Sequence, residues 1–227
     1  MFSLSKDWNP KNARLREIVG IPECIDEAIS LTLKLHGIVH ASSVSGSSGP
    51  TYLGEVFDGI EKSSYSIMPT KKDVTLAWNV WHITRIEDLV ANLLIAGGHQ
   101  VFDGEWKIRL NAIAADTGNA MTDEEIIALS QNLNIDQLFA YRNAVGQKTR
   151  SIVSGLTAKD LKRKVTPDGT DQILRQGGVT EHPDSVWLLD FWGRKTIAGL
   201  LLMPITRHQI VHLNDCLKLK NKVSKMI

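Results

Sequence analysis

Thr206-Arg207-His208-Gln209-Ile210-Val211-His212-Leu213-Asn214-Asp215-Cys216 runs near the C-terminus. Two histidines four apart on a helix lie about one turn from each other on one face. At that spacing two imidazoles can bind a single metal ion. Leu201, Ile205, His208, His212, Cys216 and Leu219 recur as a core-facing stripe, which turns both imidazoles inward. An HxxxH pair alone arises by chance in many helices, so its meaning depends on a third histidine.

That histidine stands in Trp78-Asn79-Val80-Trp81-His82-Ile83-Thr84-Arg85-Ile86-Glu87-Asp88. Trp78, His82, Ile86, Leu89 and Leu93 fall on one helical face, so His82 also sits on an apolar stripe. Three inward histidines from two helices form a three-nitrogen site with room for water, the pattern of catalytic rather than structural zinc. The competing reading makes each a hydrogen-bonded core histidine, but burying three polar rings without partners is costly.

Working outward, Ile25, Ile29, Leu33, His36 and His40 form one stripe after Pro22, with Ala28, Leu31, Leu35 and Ile38 beside it. Serine and glycine from Ser42 to Pro50 end this helix and predict a mobile loop. Thr51 to Ile60 reads as a short helix and Ser63 to Lys72 as a connector. Asp73 reads as the cap of the helix carrying His82, which stops at Gly97-Gly98. Residues 99–121 lack periodicity and read as an irregular crossover. Thr122-Asp123-Glu124-Glu125 is a capping box, and Asn134 caps a long helix with Leu138, Tyr141, Val145, Thr149, Ile152 and Leu156 on its stripe. Thr157 caps a further short helix, and residues 166–184 read as a long loop or hairpin. Ser185 to Trp192 reads as a helical turn over the bundle end. The last helix follows from about Arg194, kinked by Pro204.

Four long amphipathic segments without alternating strands predict an all-α protein: a four-helix bundle with long crossover loops and short accessory helices. Residues 1–19 read as an N-terminal arm and 20–222 as a single domain. The 227 residues are 43% hydrophobic and 22% charged, ordinary for a soluble globular chain. A formal charge of +1 with no basic run argues against nucleic acid as partner. No stretch has signal-peptide or membrane-span character, and Cys24 and Cys216 are expected to be reduced thiols, so the expected location is cytoplasmic.

Trp81-His82-Ile83 followed by Glu87, Tyr141-Arg142 continuing to Leu156-Thr157-Ala158-Lys159-Asp160-Leu161, and His208-xxx-His212 together resemble the DinB/YfiT-like metal-binding bundles. The resemblance spans roughly residues 20–220 in layout. It implies that His82, His208 and His212 hold a divalent metal, commonly zinc or nickel, with water completing the shell. It also implies thiol S-transfer or hydrolysis of a small molecule, with a low-molecular-weight thiol as one substrate, and dimerisation through helix faces. Where such bundles often carry Gly-Gln after the last ligand, this chain has Asn214-Asp215. The loops at 42–50 and 99–121 are also longer than a minimal bundle needs. Both departures bear on the substrate.

Other groups compete. His36 and His40 also stand at i and i+4 and form a rival or supplementary ligand pair. His99 reads as a helix-end cap and His182 as a loop residue at a mouth. Gln209 occupies the position where an HExxH protease needs its glutamate base, which excludes that class. Asp215 reads either as a group that orients a ligand or as a solvated carboxylate, and Glu87 and Asp88 as site carboxylates or as partners of Arg85 or Lys107. Cys216 reads as a buried thiol on the histidine stripe. Trp81 is placed to wall a pocket beside His82. The expected function is a metal-dependent enzyme acting on a small molecule. Its rival is a non-catalytic metal-binding or stress-associated interaction protein.

Overall fold

The computed structural model describes residues 2–46 and 49–226. Among them there is no strand, only an isolated antiparallel bridge between Lys164 and Thr196. The first two helices are α1, Asn9–Ile18, and α2, Ile25–Val39. Next come α3, Leu76–Asp88, and α4, Ile135–Ser154. Then follow α5, Pro183–Gly193, and α6, His208–Val223. Helices α2, α3, α4 and α6 form the bundle: α3 packs against α4 and α6, and α2 against the same two.

Helix α3 is the interior member, with every residue from Leu76 to Asp88 except Trp78 buried. Thr75 caps it by accepting from the Trp78 amide, so the expected cap at Asp73 is displaced by two residues. Asp73 instead pairs with Lys222 of α6. Beyond Asp88 the helix widens to a π-helix, Leu89–Ile95, and ends at Gly97, whose φ of 64° is the left-handed conformation glycine adopts freely. The capping box at Thr122 and the caps at Thr157 and Asn134 form as expected, and Asp160 completes a capping box with Thr157.

Several stretches expected to be irregular are helical. The arm folds as a π-helix, Leu4–Trp8, and α1, burying Trp8, Leu15 and Ile18. Ser42–Ser45 is a helical turn ending at Gly46, while residues 47 and 48 of that expected loop lie outside the described residues. The crossover contains a helix at Gly104–Leu110. The expected hairpin at 166–184 is largely helix, Pro167–Arg175, because Thr166 caps it and Pro167 suits a first helical turn. The expected turn at 185–192 is the full helix α5, capped by His182. At Gly104–Leu110, Pro167–Arg175 and α5 a local cap, from Asp103, Thr166 and His182, outweighed the weak periodicity on which the loop reading rested.

The crossover is fastened along α3 by its carbonyls. Trp78 Nε1 donates to Gly118 O, Trp81 Nε1 to Asp116 O and Arg85 Nε to Ala115 O, at 2.9–3.2 Å. The Asp88 carboxylate accepts from the Val101 and Phe102 amides, and from the Tyr141 hydroxyl of α4 at 2.6 Å. The buried Asp88–Arg85 ion pair, 3.1 Å, realises the Arg85 pairing expected from the sequence.

Helices α2 and α4 meet where Gly146 faces His40. A Cβ on Gly146 would lie 2.6 Å from His40 Nδ1 and 3.0 Å from Val44 Cγ1. Gly→Ala inside a helix ordinarily stabilises by up to about 1 kcal/mol. Here Gly146→Ala is expected to destabilise by about 1–3 kcal/mol through overpacking. Gly199→Ala, where a Cβ makes only ordinary contacts with Lys195, serves as control and is expected to be neutral or stabilising. Urea midpoints of the two variants check the opposite signs.

Candidate metal centre

His82, His208 and His212 come together, with one ring nitrogen from each lying within 4.8 Å of the others. His82 is buried on α3, and the other two sit half-buried at the start of α6. Their ring centroids are 4.5–5.1 Å apart. The register of α6 is set upstream: Ile197–Leu202 passes into a π-helix, Met203–Arg207, around Pro204. Thr206 Oγ1 donates to Leu201 O at 2.7 Å inside this wider turn. The sequence placed both histidines squarely on the core stripe. With the π turn, Gln209 takes the fully buried position, and His208 and His212 face a cavity at the core's edge.

Two of the three tautomers follow from hydrogen bonding. Thr117 O can only accept, so His82 Nδ1–H donates to it at 2.8 Å and Nε2 carries a lone pair. Asn79 donates its Nδ2 to Thr75 O and so presents Oδ1 to His212 Nδ1–H, at 2.8 Å. This again leaves Nε2 as an acceptor. Such outer partners commonly orient metal-binding imidazoles. His208 Nδ1 is buried without a hydrogen-bond partner. Burial pushes His82 down to about 3, with His212 adding to the shift and the Thr117 carbonyl opposing it. Burial also holds His208 well below its ordinary value and lowers His212, whose shift Asp215 opposes. Three neutral rings in one place, two with fixed lone pairs and one with an unmet polar nitrogen, fit a divalent cation. The group contains no Cys, Asp or Glu among the described residues.

A cavity of about 430 Å³ opens beside these rings. Trp78 stacks on His82 at 4.6 Å, and Phe191, Trp192 and Trp187 of α5 close the far side. Trp81 is not part of this wall. It is fully buried against Phe102, because its indole is spent on Asp116 O. Cys216 is buried, and burial pushes its thiol well above the ordinary range. Asp215 pairs with Lys218, Asn214 accepts from the Tyr52 hydroxyl, His99 is exposed, and His182 is occupied capping α5.

The rival pair forms a separate cluster. Glu87 is wholly buried and accepts from His36 Nε2 at 2.7 Å, His40 Nε2 at 2.8 Å and Gln209 Nε2 at 3.0 Å. Gln209 Oε1 in turn accepts from Arg142 Nη2 at 2.8 Å. Burial alone would raise the Glu87 pKa, but the electrostatics and hydrogen bonds of the N–H groups that His40 and His36 aim at it outweigh burial and hold the carboxyl well below its usual range. Burial lowers Arg142 to about 10, partly offset by Glu87, so the guanidinium stays charged and balances the carboxylate. These three residues could also hold an ion. However, their N···O distances are those of hydrogen bonds, and Arg142 already supplies the counter-charge. The sequence signal for this cluster was present in the second i, i+4 pair, but nothing in it joined that pair to Glu87. Asn79 and the Thr117 carbonyl were missed because neither belongs to a ligand motif.

Two outcomes follow. Glu87→Gln is expected to cost about 3–5 kcal/mol in urea unfolding with chelator present, because it strips the charge from a buried paired network. Burial pushes His40 down to about 3 from 6.5. Its neutral form therefore stabilises the fold fully above pH 6.5 and loses that contribution as pH falls towards 3. Metal-free protein should show a flat Tm above about pH 7 and, below about pH 6.5, lose about 1.4 kcal/mol per pH unit for each such buried imidazole.

No curated protein matches the chain. A family profile described as the DinB superfamily matches residues 49–216, which include α3, α4, α5, the three histidines and Glu87, but not α2. On that match, joined to the helical bundle and its three-histidine group, the chain belongs to the DinB superfamily.

Proposed function

We propose that this protein is a divalent-metal-dependent enzyme that acts on a small molecule at His82, His208 and His212, by thiol S-transfer or hydrolysis. The observation that carries this reading is the open side of the three-histidine group, which gives onto a cavity instead of a fourth protein ligand. A nitrogen-only donor set suits zinc or nickel. A divalent cation supplies Lewis acidity, which lowers the pKa of water or a thiol enough to yield a nucleophile near neutral pH.

The chain's own residues orient and desolvate. Thr117 and Asn79 fix the His82 and His212 rings, and the aromatic side chains form an apolar wall beside them. No carboxylate or thiol lines the cavity among the described residues, so the chain offers no general base there. That observation favours the rival reading, a metal-binding or stress-associated interaction protein. Among the described residues no helix is long and apolar enough to cross a membrane. A cytoplasmic location and dimerisation through helix faces complete the proposal, carried by composition and by the family resemblance.

Elemental analysis of untagged protein should find about one divalent metal per chain. His82→Ala, His208→Ala and His212→Ala should each strip most of it, while His99→Ala and His182→Ala leave it in place. Loss on His36→Ala or His40→Ala, with retention in His82→Ala, would overturn the ligand assignment. Turnover of thiol–electrophile, ester or amide pairs that vanishes in His212→Ala separates the enzyme from the binder.

A further inference from the structure

We propose, resting on the three-histidine cation site of the preceding reading, that the cavity takes an uncharged, flat apolar molecule with a neutral hydrogen-bond acceptor. A thiol that carries a carboxylate or ammonium away from its sulfur is thereby disfavoured.

The lining carries the argument. Among the described residues no Lys, Arg, Asp or Glu borders the cavity. Its walls are the side chains of Trp78, Phe191 and Trp192, the rim indole of Trp187, and Met203 of the π turn. Burying an unpaired carboxylate or ammonium costs far more than its neutral isostere, so such a wall rejects charge. Aromatic faces reward a flat apolar occupant with contact area. The volume, about 430 Å³, is that of a small-ligand pocket. Asn119 also lines it, and its Oδ1 is taken by the Thr117 hydroxyl at 2.8 Å, which leaves the NH₂ to donate to a neutral acceptor.

Charge is available nearby, but on the wrong side. A second groove, about 400 Å³, is bordered by Lys72, Asp73, Asp215, Lys218 and Lys222. It reaches His212 from the side of Asn79, which holds Nδ1, so it meets the back of the ring. Two of its lysines are already paired, Lys218 with Asp215 and Lys222 with Asp73. Away from the cation itself, an anionic group on a substrate therefore finds no counter-ion bordering the cavity.

Cobalt-substituted protein tests both layers separately. Visible bands of bound Co²⁺ report the cation site, and tryptophan fluorescence reports the cavity. Benzyl mercaptan and 4-(mercaptomethyl)benzoate are titrated as a matched pair of thiol probes that differ by one carboxylate. The neutral thiol should bind at least about tenfold more tightly. Trp187→Ala, at a half-exposed rim position, should weaken it by roughly tenfold while leaving the cobalt bands of the thiol-free protein unchanged. Met203→Lys, a change of similar length, should reverse the preference towards the carboxylate. If the protein takes up no Co²⁺, the three-histidine reading itself fails, and the proposal with it. If Co²⁺ binds normally but the carboxylate thiol binds as tightly as the neutral one, the proposal is overturned and the metal reading stands.

Discussion

The Glu87 carboxylate, buried at the centre of the bundle, is the constraint around which the rest is arranged. An ionised group with no solvent must find donors and a counter-charge inside the protein. It finds donors in the imidazole of His36 on α2, that of His40 just past its end and one amide of α6, and a counter-charge in Arg142 of α4, reached through Gln209. All four bundle helices are thereby tied to one carboxylate. The helix that carries it also buries Asn79, His82, Thr84, Arg85 and Asp88, so α3 requires polar partners along its whole length. The crossover answers with a row of carbonyls from Ala115 to Gly118, and one of them fixes the His82 ring.

Five of the seven histidines therefore fall into two groups with different chemistry. In one, two rings surround a carboxylate, and Nε2–H groups are the donors. In the other, Nδ1–H groups are spent on Thr117 and Asn79, and Nε2 lone pairs are left over. The difference lies in what stands opposite each ring, not in helical spacing, since both groups contain an i, i+4 pair. A sealed core around the first and an aromatic cavity beside the second complete the contrast.

What the sequence made legible was whatever depends on local periodicity or on a cap. The four long helices, the capping box at Thr122 and the caps at Thr157 and Asn134 are of this kind. So is the grouping of His82 with His208 and His212, although the π turn carries the last two from the core stripe to the core's edge. What stayed hidden depends on partners distant in the chain. The Glu87–His36 contact spans 51 residues and the Arg142–Gln209 contact 67. Helices at 104–110, 167–175 and 183–193 were underread because short segments carry too few turns for a stripe to declare itself. Trp81 was misassigned for a related reason. Being next to His82 in sequence sets it about 100° round the helix, away from the cavity that Trp78 and His82 share.

The π turn at Met203–Arg207 acts as a gear setting for the last helix. A π turn holds one residue more than an α turn, so losing a single residue there restores ordinary winding and leaves the downstream facing unchanged, whereas a loss in the ordinary winding just beyond it would rotate everything downstream by about 100°. His208, Gln209 and His212 would move together, and no small side-chain adjustment could return them. The span can therefore give up one residue, while its composition is held by the buried Pro204, Ile205 and Thr206. Among the chain's variants a single-residue deletion should be found within 203–207 sooner than within the winding that carries His208 and His212, and length changes should be commonest in the exposed turn before α2.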